Sequence, residues 1–177
     1  MEVVKNRFMF DTSALNQIIN KPDDEMLIYQ TKLNGFEYYF TEIQGFEAGN
    51  NISKLRDETN SDLVKRSDAE LAVELLKLIN KLQTKYVGQI ATLRHNKWRL
   101  DGTFTLVSKS EQGAALLFSD ILNNNDYQYY NDAMIAMCGI VYGCTIVTND
   151  KRLYKKINKH FPDRAINYAS FISFIKA

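Results

Sequence analysis

The chain has 177 residues, a hydrophobic fraction of 45%, a charged fraction of 24% and a formal net charge of +1. These values are ordinary for one soluble globular domain, and a content of only two prolines and eight glycines argues against linkers and disorder. The first residues lack the apolar stretch of a signal peptide, and no apolar run is long enough to span a bilayer. Cys138 and Cys144 lie in apolar surroundings without metal-ligand spacing, which favours buried free thiols and a cytoplasmic protein.

The first half of the chain opens with a short apolar run at 7–11 that predicts a buried strand. A helix is expected from about Ser13, and a second one begins at Pro22, where acids follow in the first turn. The aromatic run 36–40 predicts a strand. The longest helical signal, 62–86, repeats leucine and isoleucine at helical spacing.

The second half alternates in the same way. The predicted elements, in order, are a strand at 104–107, a helix at 110–122, a strongly apolar helix at 129–142, a strand at 145–148, a helix at 151–160, a strand at 165–168 and a helix at 170–176. Strands that alternate with helices predict an α/β fold, with a mostly parallel sheet of four or five strands and helices on both faces. The segment of about 55–100 is expected to be a helical elaboration within a single domain, 1–177.

Three aspartates have positions that suggest a shared site. Asp11 follows the first strand, Asp150 follows the strand at 145–148, and Asp132 opens the apolar helix. In parallel α/β sheets such residues meet at the carboxyl edge, where ligands bind. Each also has a simpler interpretation: Asp11 or Asp150 can cap a helix, and Asp132 can sit on a solvated first turn that the helix dipole favours.

Carboxylates without matching cations repel one another unless a metal lies among them, and oxygen ligands suit Mg²⁺ or Mn²⁺. Glu47 is a further candidate on the helix after the aromatic strand, although an ordinary surface glutamate would look the same, and Glu42 is a rival. Ser13 can cap a helix or bond a metal-bound water. The pattern therefore indicates phosphodiester chemistry.

Four segments together resemble the signature segments of PIN-domain ribonucleases. They are FDTSA at 10–14, TEIQGFE at 41–47, NDAMIA at 131–136 and TNDK at 148–151. The pair formed by the last two is the more specific part. The resemblance covers nearly the whole chain, but Ala48 stands after Glu47 where leucine is commoner in the family.

This resemblance implies a three-layer α/β/α sandwich and a metal-dependent endoribonuclease of the kind found in VapC-like toxins of toxin–antitoxin pairs. Carried over to this sequence, the catalytic and metal-binding acids would be Asp11, Glu47, Asp132 and Asp150. Secondary polar contacts would come from Thr12 or Ser13 and from Thr148 or Asn149. One or two Mg²⁺ or Mn²⁺ ions would activate the attacking water and leave a 5′-phosphate and a 3′-hydroxyl. An antitoxin and a second copy of the chain are the implied protein partners.

RNA binding would need cations outside this acidic site. Two basic clusters are candidates, although basic clusters of this kind are more often solvated helix faces. One holds Lys151, Arg152 and Lys155 with further basic residues of its helix, and the other holds Arg94, Trp98 and Arg99.

Two other functions remain open. A PIN-like module can bind RNA or protein without cleaving it. A phosphatase on a doubly wound sheet would want a second acid near the first, which Asp11-Thr12-Ser13 lacks. The sequence also contains no glycine-rich phosphate loop, which disfavours nucleotide triphosphate binding.

Overall fold

The computed structural model describes residues 6–41, 43–45, 62–87, 109–122 and 129–177. Their strands are β1 (Arg7–Phe10), β2 (Glu37–Thr41), β3 (Lys85–Val87), β4 (Thr145–Val147) and β5 (Ala165–Ile166). Their helices are α1 (Thr12–Ile19), α2 (Pro22–Leu33), α3 (Asp62–Leu82), α4 (Lys109–Leu122), α5 (Tyr130–Val141), α6 (Lys151–His160) and α7 (Tyr168–Lys176). Residues 43–45 are also helical. The predicted strand at 104–107 lies outside the described residues.

The strands form one parallel sheet in the order β3-β2-β1-β4-β5. This confirms the predicted α/β class and the parallel sheet. β1 occupies the centre, with Phe8 opposite Tyr38 of β2 and opposite Thr145 of β4. The chain moves outward in one direction through β2 and β3, then returns and moves in the other direction through β4 and β5. The order of the strands therefore reverses between β1 and β4.

Side chains alternate across the sheet and divide the core into two layers. Phe8 and Phe10 of β1 face the layer that contains α1, α2, α3 and α7, whereas Met9 faces α4, α5 and α6. Val147 and Ile146 of β4 divide in the same way. Since a strand points successive side chains to opposite faces, these short apolar strands can be buried on both sides. The fold is therefore a three-layer α/β/α sandwich.

Part of the predicted elaboration belongs to the sandwich itself. Within 55–100, α3 packs Ala72, Leu75 and Leu82 into the core, and β3 pairs with β2 through Tyr39 and Lys85. The helical prediction for 62–86 is wrong at its end, because residues 85 and 86 lie in β3. α3 is a crossover helix, because it connects the parallel strands β2 and β3 and packs against the sheet. The helical periodicity of the sequence could not indicate this packing.

Among the described residues, the other differences from the sequence predictions lie at the ends of elements. α7 begins at Tyr168 and not at residue 170, because the side chain of Asn167 accepts a hydrogen bond from Ser170 N and caps the helix. Cys138 and Cys144 are buried and are not joined by a disulfide bond, as expected. Over the described part of the chain, none of the helices has the length and apolar character needed to cross a membrane.

Gly139 sets how closely α5 approaches the sheet. A Cβ added there would lie 2.8 Å from Cγ1 of the buried Ile146. We therefore expect Gly139→Ala to lower the free energy of unfolding by about 1–3 kcal/mol, the usual effect of overpacking a core. Urea denaturation followed by circular dichroism would measure it.

The matched control is Gly45→Ala, because an added Cβ at Gly45 would have no atom of the described residues within 4 Å. The control should change the free energy of unfolding much less than Gly139→Ala. Equal effects of the two substitutions would contradict the close approach of α5.

Candidate functional site

The candidate site lies at the carboxyl edge of the sheet, beside the reversal in strand order. β1 ends at Phe10 and β4 ends at Val147, and these residues are paired in register. The next residues, Asp11 and Thr148, therefore leave the sheet side by side. In open α/β sheets a crevice forms where neighbouring connections leave a sheet in opposite directions, and ligands bind there.

Asp11 is the centre of a hydrogen-bond cluster at this crevice, and only 2% of its surface is exposed to solvent. Its backbone N–H donates to Val147 O at 3.0 Å. Its carboxylate accepts from the Ser13 hydroxyl at 2.7 and 3.0 Å, from Ala14 N at 2.8 Å, and from the Thr148 hydroxyl. The bond from Ala14 N caps α1, so the capping interpretation of Asp11 is confirmed.

The cap alone does not explain how deeply this carboxylate is buried. Burial raises the pKa of Asp11 above its usual value, although the bonds from Thr148, Ala14 and Ser13 act in the opposite direction. The negative charge of Asp150 raises this pKa further. The folded protein therefore holds a carboxylate that would gain from a nearby cation.

Asp150 lies on the other side of the crevice and also caps a helix. Its carboxylate accepts from Arg152 N at 2.7 Å and from Leu153 N at 3.0 Å, which fixes the start of α6. Its own N–H donates to the Thr148 hydroxyl at 3.0 Å. Thr148 thus connects the two aspartates, because the hydroxyl that accepts from Asp150 N donates to Asp11.

Asp132 lies in the first turn of α5 and is half-buried. α5 runs into β4 through the turn at 142–144, so the helix is antiparallel to the strands and its first turn lies toward their carboxyl edge. The predicted placement of Asp132 at this edge is thus supported by the topology. A first-turn acid also gains from the helix dipole.

The described acids do not by themselves complete a metal site. No group of three or more His, Cys, Asp or Glu side chains within the described ranges is arranged to hold a metal ion. Both oxygens of Asp11 accept hydrogen bonds from the protein. The oxygen chemistry suits Mg²⁺ or Mn²⁺, but the described residues supply only part of the ligand set.

Glu47 and its rival Glu42 lie outside the described residues, yet the segment that leads to Glu47 is anchored at the site. Gln44 is 2% exposed, and its Nε2 donates to Phe10 O, the last carbonyl of β1, at 2.8 Å. Its Oε1 accepts from Thr41 N and from the Thr41 hydroxyl, both at 2.6 Å. Gln44 was not among the residues predicted for the site, although Thr41-x-x-Gln44 has the spacing of a capping box.

The polar residues predicted beside the acids have separate roles. Ser13 bonds Asp11 and accepts from Asn149 N at 3.0 Å, so its hydroxyl links α1 to the residue after Thr148. The side-chain oxygen of Asn149 accepts from Tyr168 N at 3.4 Å. Thr12 is the half-buried first residue of α1. The loops after β1, β4 and β5 are therefore joined through these side chains.

The predicted basic residues divide between two environments. Lys151 and Lys155 line a cleft of about 370 Å³ beside Asp150. Arg152 instead donates to Ile121 O and stacks its guanidinium 3.3 Å from the ring centre of Tyr129. The second predicted cluster, Arg94, Trp98 and Arg99, lies outside the described residues.

These features define an α/β/α sandwich with an acidic, hydroxyl-rich crevice at the reversal of its parallel sheet. Comparison with protein-family models, curated proteins and solved structures finds no significant match. Function is therefore inferred from the chemistry of the site and from the signature segments of the sequence.

Replacing Asp11 by asparagine should remove the buried charge and keep the shape and the cap. Because the folded pKa of Asp11 is raised, the folded state binds more protons than the unfolded state, and stability falls as pH rises from the unfolded pKa through the folded pKa. We expect Asp11→Asn to be more stable than the wild type at pH 7, with the difference vanishing below the unfolded pKa. Thermal unfolding across pH would measure this.

Glu37→Gln provides a control of opposite sign. The hydrogen bond from Tyr39 and the ion pair with Arg7 lower the pKa of Glu37. Its contribution to stability is present above the unfolded pKa and is lost as pH falls through the folded pKa. Glu37→Gln should therefore be less stable than the wild type at pH 7, and this difference in stability should become smaller at acid pH. An Asp11→Asn variant with the same trend would contradict the unfavourable burial of the Asp11 charge.

Proposed function

We propose that the protein is a metal-dependent endoribonuclease of the PIN type, which hydrolyses RNA phosphodiester bonds at the carboxyl edge of its sheet. The observation that carries this proposal is Asp11, a buried carboxylate beside the strand reversal with a second carboxylate, Asp150, close enough to raise its pKa. Carboxylates whose pKa is raised by burial and by a second acid are concentrated in functional sites, which supports a role for Asp11 beyond capping.

Asp11, Asp132 and Asp150, with Glu47, would hold Mg²⁺ or Mn²⁺. The ion would supply Lewis acidity to the phosphate and acidify the attacking water. The hydroxyls of Ser13 and Thr148 fix both oxygens of Asp11, so that its orientation is set before any ligand arrives. A cation at this edge would favour the ionised form of Asp11 and would offset the effect of burial.

The described residues that precede Glu47 in the sequence, 43–45, lie at the same edge of the sheet as Asp11. Gln44 ties this segment to the last carbonyl of β1, one residue before Asp11. The inclusion of Glu47 itself rests on the resemblance of the segment TEIQGFE at 41–47. The proposal extends, by the resemblance of the signature segments, to a cytoplasmic toxin with an antitoxin partner and a homodimeric form.

A second candidate function is a PIN-like module that binds RNA or protein without cleaving it. The observation in its favour is that Asp11 and Asp150 both act as helix caps, and that both oxygens of Asp11 already accept hydrogen bonds. In that case the acidic edge would be structural. The two candidate functions predict different effects of a metal ion: a nuclease needs it for cleavage and is stabilised by it, whereas the binding module is not.

Cleavage of RNA by the purified protein is the decisive experiment. A structured and an unstructured RNA would be incubated with Mn²⁺, Mg²⁺ or EDTA, and the products resolved on a denaturing gel. We expect cleavage only with metal, and a loss of at least about 100-fold in Asp11→Asn or Asp132→Asn, in line with the removal of a metal ligand or its support.

Asp163→Asn is the matched control. Asp163 is exposed, lies between α6 and β5 away from the carboxyl edge, and has a φ of 62°, a conformation that asparagine tolerates well. The control should cleave like the wild type. Undiminished cleavage by a folded Asp11→Asn variant would exclude Asp11 from the reaction.

Metal-dependent stability separates the two candidates without relying on activity. A ligand that binds only the native state at 100 times its dissociation constant stabilises it by about 2.7 kcal/mol. Millimolar Mg²⁺ or Mn²⁺ should raise the melting temperature of the wild type and of Asp163→Asn, but not that of Asp11→Asn. RNA binding that is equal with metal and with EDTA, together with no cleavage and no stabilisation, would favour the binding module.

A further inference from the structure

Helix α6 presents three different faces. Leu153 and Ile157 are buried in the core. Arg152, Lys156 and the residues one turn further on form a second face, and Lys151, Tyr154, Lys155 and Asn158 form the third. Positions three and four apart lie together on a helix, so each set is a continuous strip. The two polar strips have similar sequences but different surroundings.

The second face is occupied by α4. Lys156, Lys159 and His160 all contact Asp120, with His160 Nε2 at 2.8 Å and Lys159 Nζ at 3.1 Å from its Oδ2. The hydrogen bond to His160 and the nearby lysines lower the pKa of Asp120 to about 2. Arg152 completes this contact by bonding Ile121 O. These basic side chains hold α6 on α4.

The third face lies beside β5 and borders a cleft. Asn158 fixes this orientation, because its amide exchanges two hydrogen bonds with the backbone of Ala165, at 2.9 and 3.1 Å. The cleft measures about 370 Å³ and is lined by Thr148, Asn149, Asp150, Lys151, Tyr154, Lys155 and Asn167. It begins at Thr148 and Asp150, next to Asp11, and continues between α6 and the end of β5.

The side chains of this cleft offer groups that suit a nucleotide. Lys151 and Lys155 are exposed, and Tyr154 is 36% exposed, so its ring is accessible beside two ammonium groups. Asn149 and Asn167 use their side-chain oxygens to accept from Tyr168 N and Ser170 N, so each can offer a ligand its NH₂ donor. At the start of α6, Arg152 N and Leu153 N already donate to the Asp150 carboxylate, so the polar groups that the cleft offers a ligand are side chains.

We propose that this cleft binds an unpaired nucleotide of single-stranded RNA, with the base on the ring of Tyr154 and the adjoining phosphates at Lys151 and Lys155. This inference rests on the proposed function, because it extends the RNA path from the acidic edge toward β5. Its basis is the division of the basic residues of α6 between two faces. Four of them contact α4, whereas two lysines flank an accessible tyrosine in the cleft beside Asp150.

The chemistry favours a single strand over a duplex. A base can stack on an aromatic ring only when its own face is free, and in a helix that face is covered by neighbouring bases. The cleft volume falls in the range of about 300–1,000 Å³ that small-ligand sites have. A cleft of this size can hold one nucleotide, whereas a duplex is too wide to enter it. The two lysines would also offset repulsion between the phosphates and Asp150.

Binding of a fluorescein-labelled oligouridine, measured by anisotropy, tests the proposal. The titration would be run with EDTA and again with Ca²⁺, beside an RNA hairpin without single-stranded ends and an oligothymidine. We expect the oligouridine to bind more tightly than the hairpin. Tyr154→Ala should weaken binding about 5- to 150-fold, the effect of losing one base–aromatic stack, and Tyr154→Phe should not.

The double variant Lys151→Ala/Lys155→Ala should weaken binding and flatten its salt dependence, by about 0.7 in log–log slope for each phosphate that a lysine no longer neutralises. Lys159→Ala is the matched control, since it removes the same charge from the same helix but on the face that contacts Asp120. The control should retain the slope and the affinity of the wild type.

The outcomes distinguish this inference from the proposed function. If the wild type cleaves RNA with metal, but the double variant and Tyr154→Ala bind like Lys159→Ala, the cleft is not the RNA path and the nuclease proposal stands. If the cleft variants lose binding but no cleavage occurs with any metal, the cleft is an RNA site and the nuclease proposal fails. Equal binding of the hairpin, or no binding of oligouridine in either buffer, would overturn the inference, and equal binding of oligothymidine would overturn its restriction to RNA.

Discussion

The carboxylate of Asp11 links the two loops that follow β1 and β4, on which the site depends. It joins α1 through Ala14 N and Ser13, and it joins the end of β4 through Thr148. Ser13 in turn accepts from Asn149 N, and Thr148 accepts from Asp150 N. Because β1 and β4 are only a few residues long, backbone pairing alone gives few bonds between them, and these side-chain bonds fix where the two chains separate.

The same arrangement explains why capping and ligand binding are compatible at Asp11. A cap requires one carboxylate oxygen directed at the first N–H groups of a helix, and it does not require burial. Here the residue is almost completely buried and a second aspartate is near, so its ionised form is disfavoured by its surroundings. The cap on Ala14 N alone needs one acceptor, which the amide oxygen of an uncharged asparagine would also supply.

The protein is nearly neutral overall, but the charged residues of α6 are distributed unevenly between its faces. Asp120 gathers Lys156, Lys159 and His160 on one side of α6, where they hold two helices together. Lys151 and Lys155 are left on the cleft side, close to Asp150. Basic residues of one helix thus either contact α4 or border the cleft, according to which face of α6 they occupy.

The sequence by itself determined the α/β class, the order of most elements and the positions of Asp11 and Asp150 after parallel strands, because hydrophobic period and turn residues are local signals. It did not determine that α3 and β3 belong to the sandwich, that Gln44 bonds the end of β1, or which cations of α6 face α4. Those properties depend on contacts between residues distant in the chain, such as Gln44 with Phe10 and Lys156 with Asp120. Only the tertiary structure brings such residues together, since a helix face has no preferred partner until the sheet and its neighbouring helices are in place.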